Sequence, residues 1–182
     1  MKRLIIILTL IFIVIGRTTA QCSDLSIKDI QNKCINIQYN IAVYDSTKTE
    51  FFDESSDGAE ATAYSNGIDL KIIKVVWLGE TGRRIIKYYF DNTKLIFAFN
   101  QDFVYNRPYY WDEKLAKENE DKVVFDPKKT VVKEDRYYFK NEKLFLWLNN
   151  EKKEVDLSLS KNSIIGQDLI THAFKMKKGL KK

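Results

Sequence analysis

The chain contains one histidine, His172, and two cysteines, Cys22 and Cys34. Those counts exclude most side-chain chemistry. A zinc site of ordinary ligand type draws several ligands from His and Cys, and a nucleophile–histidine pair would have to be built on His172 alone. No Gly-x-Ser-x-Gly elbow, Gly-x-Gly-x-x-Gly loop, P-loop or zincin motif occurs in the sequence. Leu169, Ile170, Ala173 and Phe174 recur at helical spacing around His172, which is expected to be an ordinary residue on that helix's surface. We assign no catalytic residue, no metal ligand and no cofactor.

Two groups could still do something. Asp53, Glu54, Asp57 and Glu60 cluster in an acidic stretch. Paired carboxylates of this kind serve glycoside hydrolysis, and oxygen-rich loops hold Ca²⁺. EF-hand spacing is missing, and a solvated loop has the same composition. A hydrolase acting on an envelope polymer through this loop is the alternative reading.

The second group is aromatic. Phe103, Tyr105, Tyr109, Tyr110 and Trp111 fall within nine residues, around Arg107 and Pro108. Proline cannot donate to a ladder, so the chain leaves its sheet there. Tyr, Trp and Arg are the types most often energetic at interfaces. Arg107, Tyr109, Tyr110 and Trp111 are therefore the expected contact residues for a protein or glycan partner. The competing expectation is that these rings fold back and cap the sheet.

The elements that must position these residues are legible in part. An internal repeat is the strongest feature: Tyr88-Tyr89-Phe90-Asp91-Asn92-Thr93-Lys94-Leu95 is answered by Tyr137-Tyr138-Phe139-Lys140-Asn141-Glu142-Lys143-Leu144, 49 residues on. Upstream, Lys74-Val75-Val76-Trp77 is answered by Lys122-Val123-Val124-Phe125 at an offset of 48. Asn92 and Asn141 stand where the chain must reverse, in a conformation that Asn tolerates. Each copy, about 70–105 and 119–159, reads as a three-stranded meander, and Glu154–Leu159 alternates like one more strand. Lys48–Gly67 is small, acidic and unpatterned, and reads as a loop.

Helices are expected at both ends. Ile27, Ile30, Cys34, Ile37 and Ile41 recur at helical spacing, as do the residues from Gly166 to Lys178, and a short helix is expected near Asp112–Asn119. The expected fold is α+β: an antiparallel sheet from a duplicated three-stranded β-meander, with the N- and C-terminal helices packed together on one face.

Export is written at the N-terminus. Lys2 and Arg3 precede an apolar run from Leu4 to Ile15, and Thr18 and Ala20 place small residues before a cleavage point at Gln21. Residues 1–20 are thus expected to be a signal peptide and 21–182 one α+β domain, exported to the periplasm or outside the cell. The run is shorter than the roughly 18 residues of a spanning helix, so no stable transmembrane span is expected after cleavage. The alternatives are an uncleaved anchor or a lipid on Cys22. In an oxidising compartment Cys22 and Cys34 are expected to form a disulfide, two free thiols being the other possibility. Lys2, Arg3 and Arg17 account for three of the five net positive charges. The mature chain is therefore near +2, not a nucleic-acid-binding balance. These observations predict an exported cell-envelope or secreted binding protein, more a non-enzyme than an enzyme, of unknown partner.

Overall fold

The computed structural model describes residues 27–51 and 57–180. The signal peptide, Cys22, Asp53 and Glu54 lie outside the described residues. Helix α1 covers residues 27–39. Seven strands follow in chain order: β1 Asp45–Phe51, β2 Ala59–Asn66, β3 Asp69–Gly79, β4 Gly82–Asp91, β5 Lys94–Val104, β6 Val131–Lys140 and β7 Lys143–Leu148. Short helix α2, Glu113–Glu118, lies between β5 and β6, and α3, Ser160–Gly179, closes the chain. The strands form one antiparallel sheet in sequential order, so every neighbour in the sheet is a neighbour in sequence. This is the α+β antiparallel architecture with N- and C-terminal helices.

The repeated hairpins have identical register. Tyr89 faces Phe97, Phe90 faces Leu95 and Asp91 faces Lys94; in β6–β7, Tyr138 faces Leu146, Phe139 faces Leu144 and Lys140 faces Lys143. Each carries a one-residue irregularity before its Phe. Each turns on two residues of positive φ, Asn92 (47°) with Thr93 (70°) and Asn141 (50°) with Glu142 (56°), the pair a type I′ turn requires. The same pattern occurs a third time. In β2–β3, Tyr64 faces Ile72, Ser65 faces Leu70 and Asn66 faces Asp69, with the shift before Ser65 and Gly67 (φ 59°) opening the turn.

The helices lie on opposite faces of the sheet, not on one as expected. Tyr88, Phe90, Tyr137 and Phe139 pack with Ala173 and Met176 of α3, whereas Tyr89 and Ile72 pack with Ile37 of α1. The reason is in the repeat: in Tyr-Tyr-Phe successive aromatic residues point to both sides of a strand, so both faces need covering. Each fully buried side chain of this size contributes about 1.5–3 kcal/mol.

Three further expectations are corrected. Lys48–Gly67 is not a loop throughout, because β1 and β2 occupy much of it. Ala59, Ala61 and Ala63 alternate inward, and their small size lets Met176 and Leu180 approach; alanine's low strand preference hid them. Lys122–Phe125 is not a strand: β5 already pairs with β6 from Val131 onward, and Pro127 lacks a donor. Glu154–Leu159 makes a single bridge, Glu154 with Leu148. The Asp156 side chain then accepts from Ser158 N at 2.8 Å and turns the chain toward α3.

Cys34 is half-buried on the sheet side of α1, where burial pushes its thiol up to about 12. Its expected disulfide partner, Cys22, is outside the described residues.

Candidate binding site

After Val104 the chain is fastened to the β3–β4 turn. Tyr105 N donates to Thr81 O and Tyr109 N to Glu80 O, both at 2.9 Å. Behind it, Asn106 donates to Val124 O at 2.9 Å and accepts from Asp126 N at 3.0 Å. Phe125 N donates to Trp111 O at 2.8 Å, and the Tyr105 and Phe125 rings meet edge-on at 5.3 Å. Lys122–Phe125 thus braces this loop, which is what its apolar residues do in place of forming a strand.

The four expected contact residues divide into two kinds. Tyr109 and Tyr110 are 58% and 42% exposed and pack edge to face at 5.4 Å. The Tyr110 hydroxyl donates to Glu80 at 2.9 Å, and that bond, with some desolvation, raises its pKa above the ordinary value. Arg107 and Trp111 are tied more closely into the fold. Arg107 grips Asp121 with two hydrogen bonds, 2.8 and 3.3 Å, and donates to Asn106 O. The Asp121 carboxyl is held below the usual range, first by Arg107 and then by the Val123 N–H. Trp111 is half-buried; its buried indole N–H meets no acceptor in strict hydrogen-bonding geometry among the described residues, but is close enough to Asp121 to help hold that carboxyl down.

The acidic group is not brought together as a site in the described residues. Glu60 stands on β2 and pairs with Lys48 at 2.6 Å, and Asp57 is exposed in the turn before it.

Sequence reasoning missed a groove between α3 and the sheet. It holds about 340 Å³ and is lined by Trp77, Arg84, Asn100, Tyr137, Asp168 and His172 among others. His172 is half-buried and faces the sheet: its Nδ1 lies 2.8 Å from the Tyr88 hydroxyl, and its ring 5.3 Å from Trp77. It is not the surface histidine expected. Arg84 pairs with Asp102 at 2.6 Å, Asn100 donates to Asp102 at 2.8 Å, and Trp147 Nε1 donates to Asp135 at 2.8 Å. Burial, with the nearby Asp135 and Asp102, holds the Tyr137 hydroxyl above its ordinary range. Asp102 and Asp135 already serve partners within the chain, which suits a structural network better than a nucleophile or base. The signal was present: Asn100 and Asp102 fall on the inward phase of β5, two residues apart, where Leu95 and Ala98 are apolar.

No three His, Cys, Asp or Glu among the described residues group so as to hold a metal ion. No helix among them is long and apolar enough to cross a membrane. Comparison with family models, with curated proteins and with solved structures finds no match.

Proposed function

We propose that this is an exported protein of the periplasm or the cell exterior, non-enzymatic, which binds a protein or glycan of the cell envelope through Tyr109 and Tyr110. The observation that carries this reading is the pairing of exposure with rigidity. Two large aromatic rings are left in water side by side, on a loop fixed by backbone bonds to Glu80 and Thr81. A prefixed aromatic pair loses little entropy on binding, and tyrosine is among the residues that most often dominate interfaces. Arg107 enters as the strut that holds the loop. The polymer-hydrolase alternative gains nothing from the described carboxylates, since Glu60 is already ion-paired.

The test is capture of the envelope partner by the secreted protein, whose intact mass should begin at Gln21. Tyr109→Ala with Tyr110→Ala should reduce capture at least tenfold and shift the melting temperature by no more than about 2 °C, as surface changes usually do. Undiminished capture contradicts the loop; retained residues 1–20, or a lipid on Cys22, contradict the soluble exported form.

A further inference from the structure

Among the described residues, the α1 side of the sheet is covered only at one end. Ile37 of helix α1 packs with Ile72 and Tyr89, and Phe97 and Phe99 pack against the same cluster. Further along the same face exposure returns, with Leu78 at 49% and Val132 at 39%. Two cross-strand rows run between these ends. The first places Lys48, Thr62, Lys74, Lys87, Phe99 and Arg136 side by side; the second places Glu50, Glu60, Val76, Ile85, Gln101 and Glu134. At both margins the rows neutralise one another, through Lys48–Glu60 at 2.6 Å and Arg136–Glu134 at 2.5 Å. At the centre they do not. Lys74 and Lys87 stand directly opposite each other, their neighbours in the next row are Val76 and Ile85, and neither has an ion-pair partner among the described residues. Like charges directly opposite on a sheet are destabilising, and partial burial already lowers the pKa of Lys87, with Lys74 adding to it.

We propose that Lys74 and Lys87 form the anchor of a second interaction surface, which docks a protein partner presenting a carboxylate ringed by apolar side chains. The carboxylate sits between the two ammonium groups, and the apolar ring covers Val76 and Ile85. A partner of this chemistry supplies the charge the centre lacks and fits the flat apolar strip around it. An anionic lipid surface or nucleic acid would instead press phosphates against Glu50, Glu60 and Glu134. This surface does not depend on the tyrosine loop.

The probe is a synthetic peptide alternating Glu with Val and Leu, titrated against the purified protein beside its Gln-for-Glu counterpart and phosphatidylglycerol vesicles. The Glu peptide should bind at least tenfold more tightly than the Gln peptide, and Lys74→Met or Lys87→Met should each weaken it tenfold or more. Both variants should melt at or above the parent temperature, because a repulsion is removed; Tyr109→Ala with Tyr110→Ala should leave peptide binding unchanged. Absent binding, equal binding of the Gln peptide, tighter binding of vesicles, or a melting temperature lowered by either Lys→Met change would overturn the proposal.

Discussion

Arg107 donates two hydrogen bonds to Asp121 and one to a backbone carbonyl, so it braces the aromatic loop. Residue type and neighbourhood pointed to Arg107, Tyr109, Tyr110 and Trp111 together; only the folded chain separates the two exposed rings from the two struts. The separating fact is Asp121, fourteen residues away, which no local pattern links to Arg107. The pair also carries a pH signature. The folded carboxyl titrates below its ordinary value, whereas an unfolded Asp has a pKa of about 3.9. Its stabilisation is therefore complete above that value and disappears as the pH falls through the folded value. Asp121→Asn should lower the melting temperature at neutral pH, and the gap from the parent should close in scans carried below about pH 4. A gap constant across that range would show that the ion pair contributes nothing.

At the scale of elements, the hairpin was the most legible unit and the layer order the least. Aromatic residues around a short polar turn mark β4–β5 and β6–β7 in the sequence itself. The third hairpin, β2–β3, has the same register and irregularity, yet its strand is built on alanines and escapes a reading based on strand preference. Tyr-Tyr-Phe marks a strand by composition alone, whereas the two-sided arrangement follows from the opposite faces its successive residues occupy. Turn chemistry makes a direct check possible. Thr93 adopts φ 70° in its turn, where a β-branched residue is strained and glycine is not. Thr93→Gly should stabilise the protein by about 0.5–1 kcal/mol in urea unfolding, the gain from relieved strain exceeding the added freedom of the unfolded chain. A loss of stability would mean that the Thr93 side chain contributes more through its contacts than its backbone costs.

For the whole molecule, sequential strand order gives a sheet with two differently covered faces and a braced loop at one end. α3 shields one face along its length, closing against β7 at Gly166, where an added Cβ would lie 2.6 Å from the Leu144 Cβ. Among the described residues the α1 face stays partly open, and the tyrosine loop stands at the end of the sheet beyond it, bonded to the β3–β4 turn. The amount of uncovered surface was not legible in the sequence, because burial on a sheet depends on where a helix stops and not on the strands alone. We propose that the molecule works by presenting Tyr109 and Tyr110 to an envelope partner. Amide hydrogen exchange of the protein, free and in complex with the captured partner, tests it most directly. Slowed exchange is expected in residues 105–111 and in the Glu80–Thr81 turn bonded to them. Slowed exchange confined to residues 165–172 and the strands beneath them, around the His172 groove, with the tyrosine loop unchanged, would contradict it.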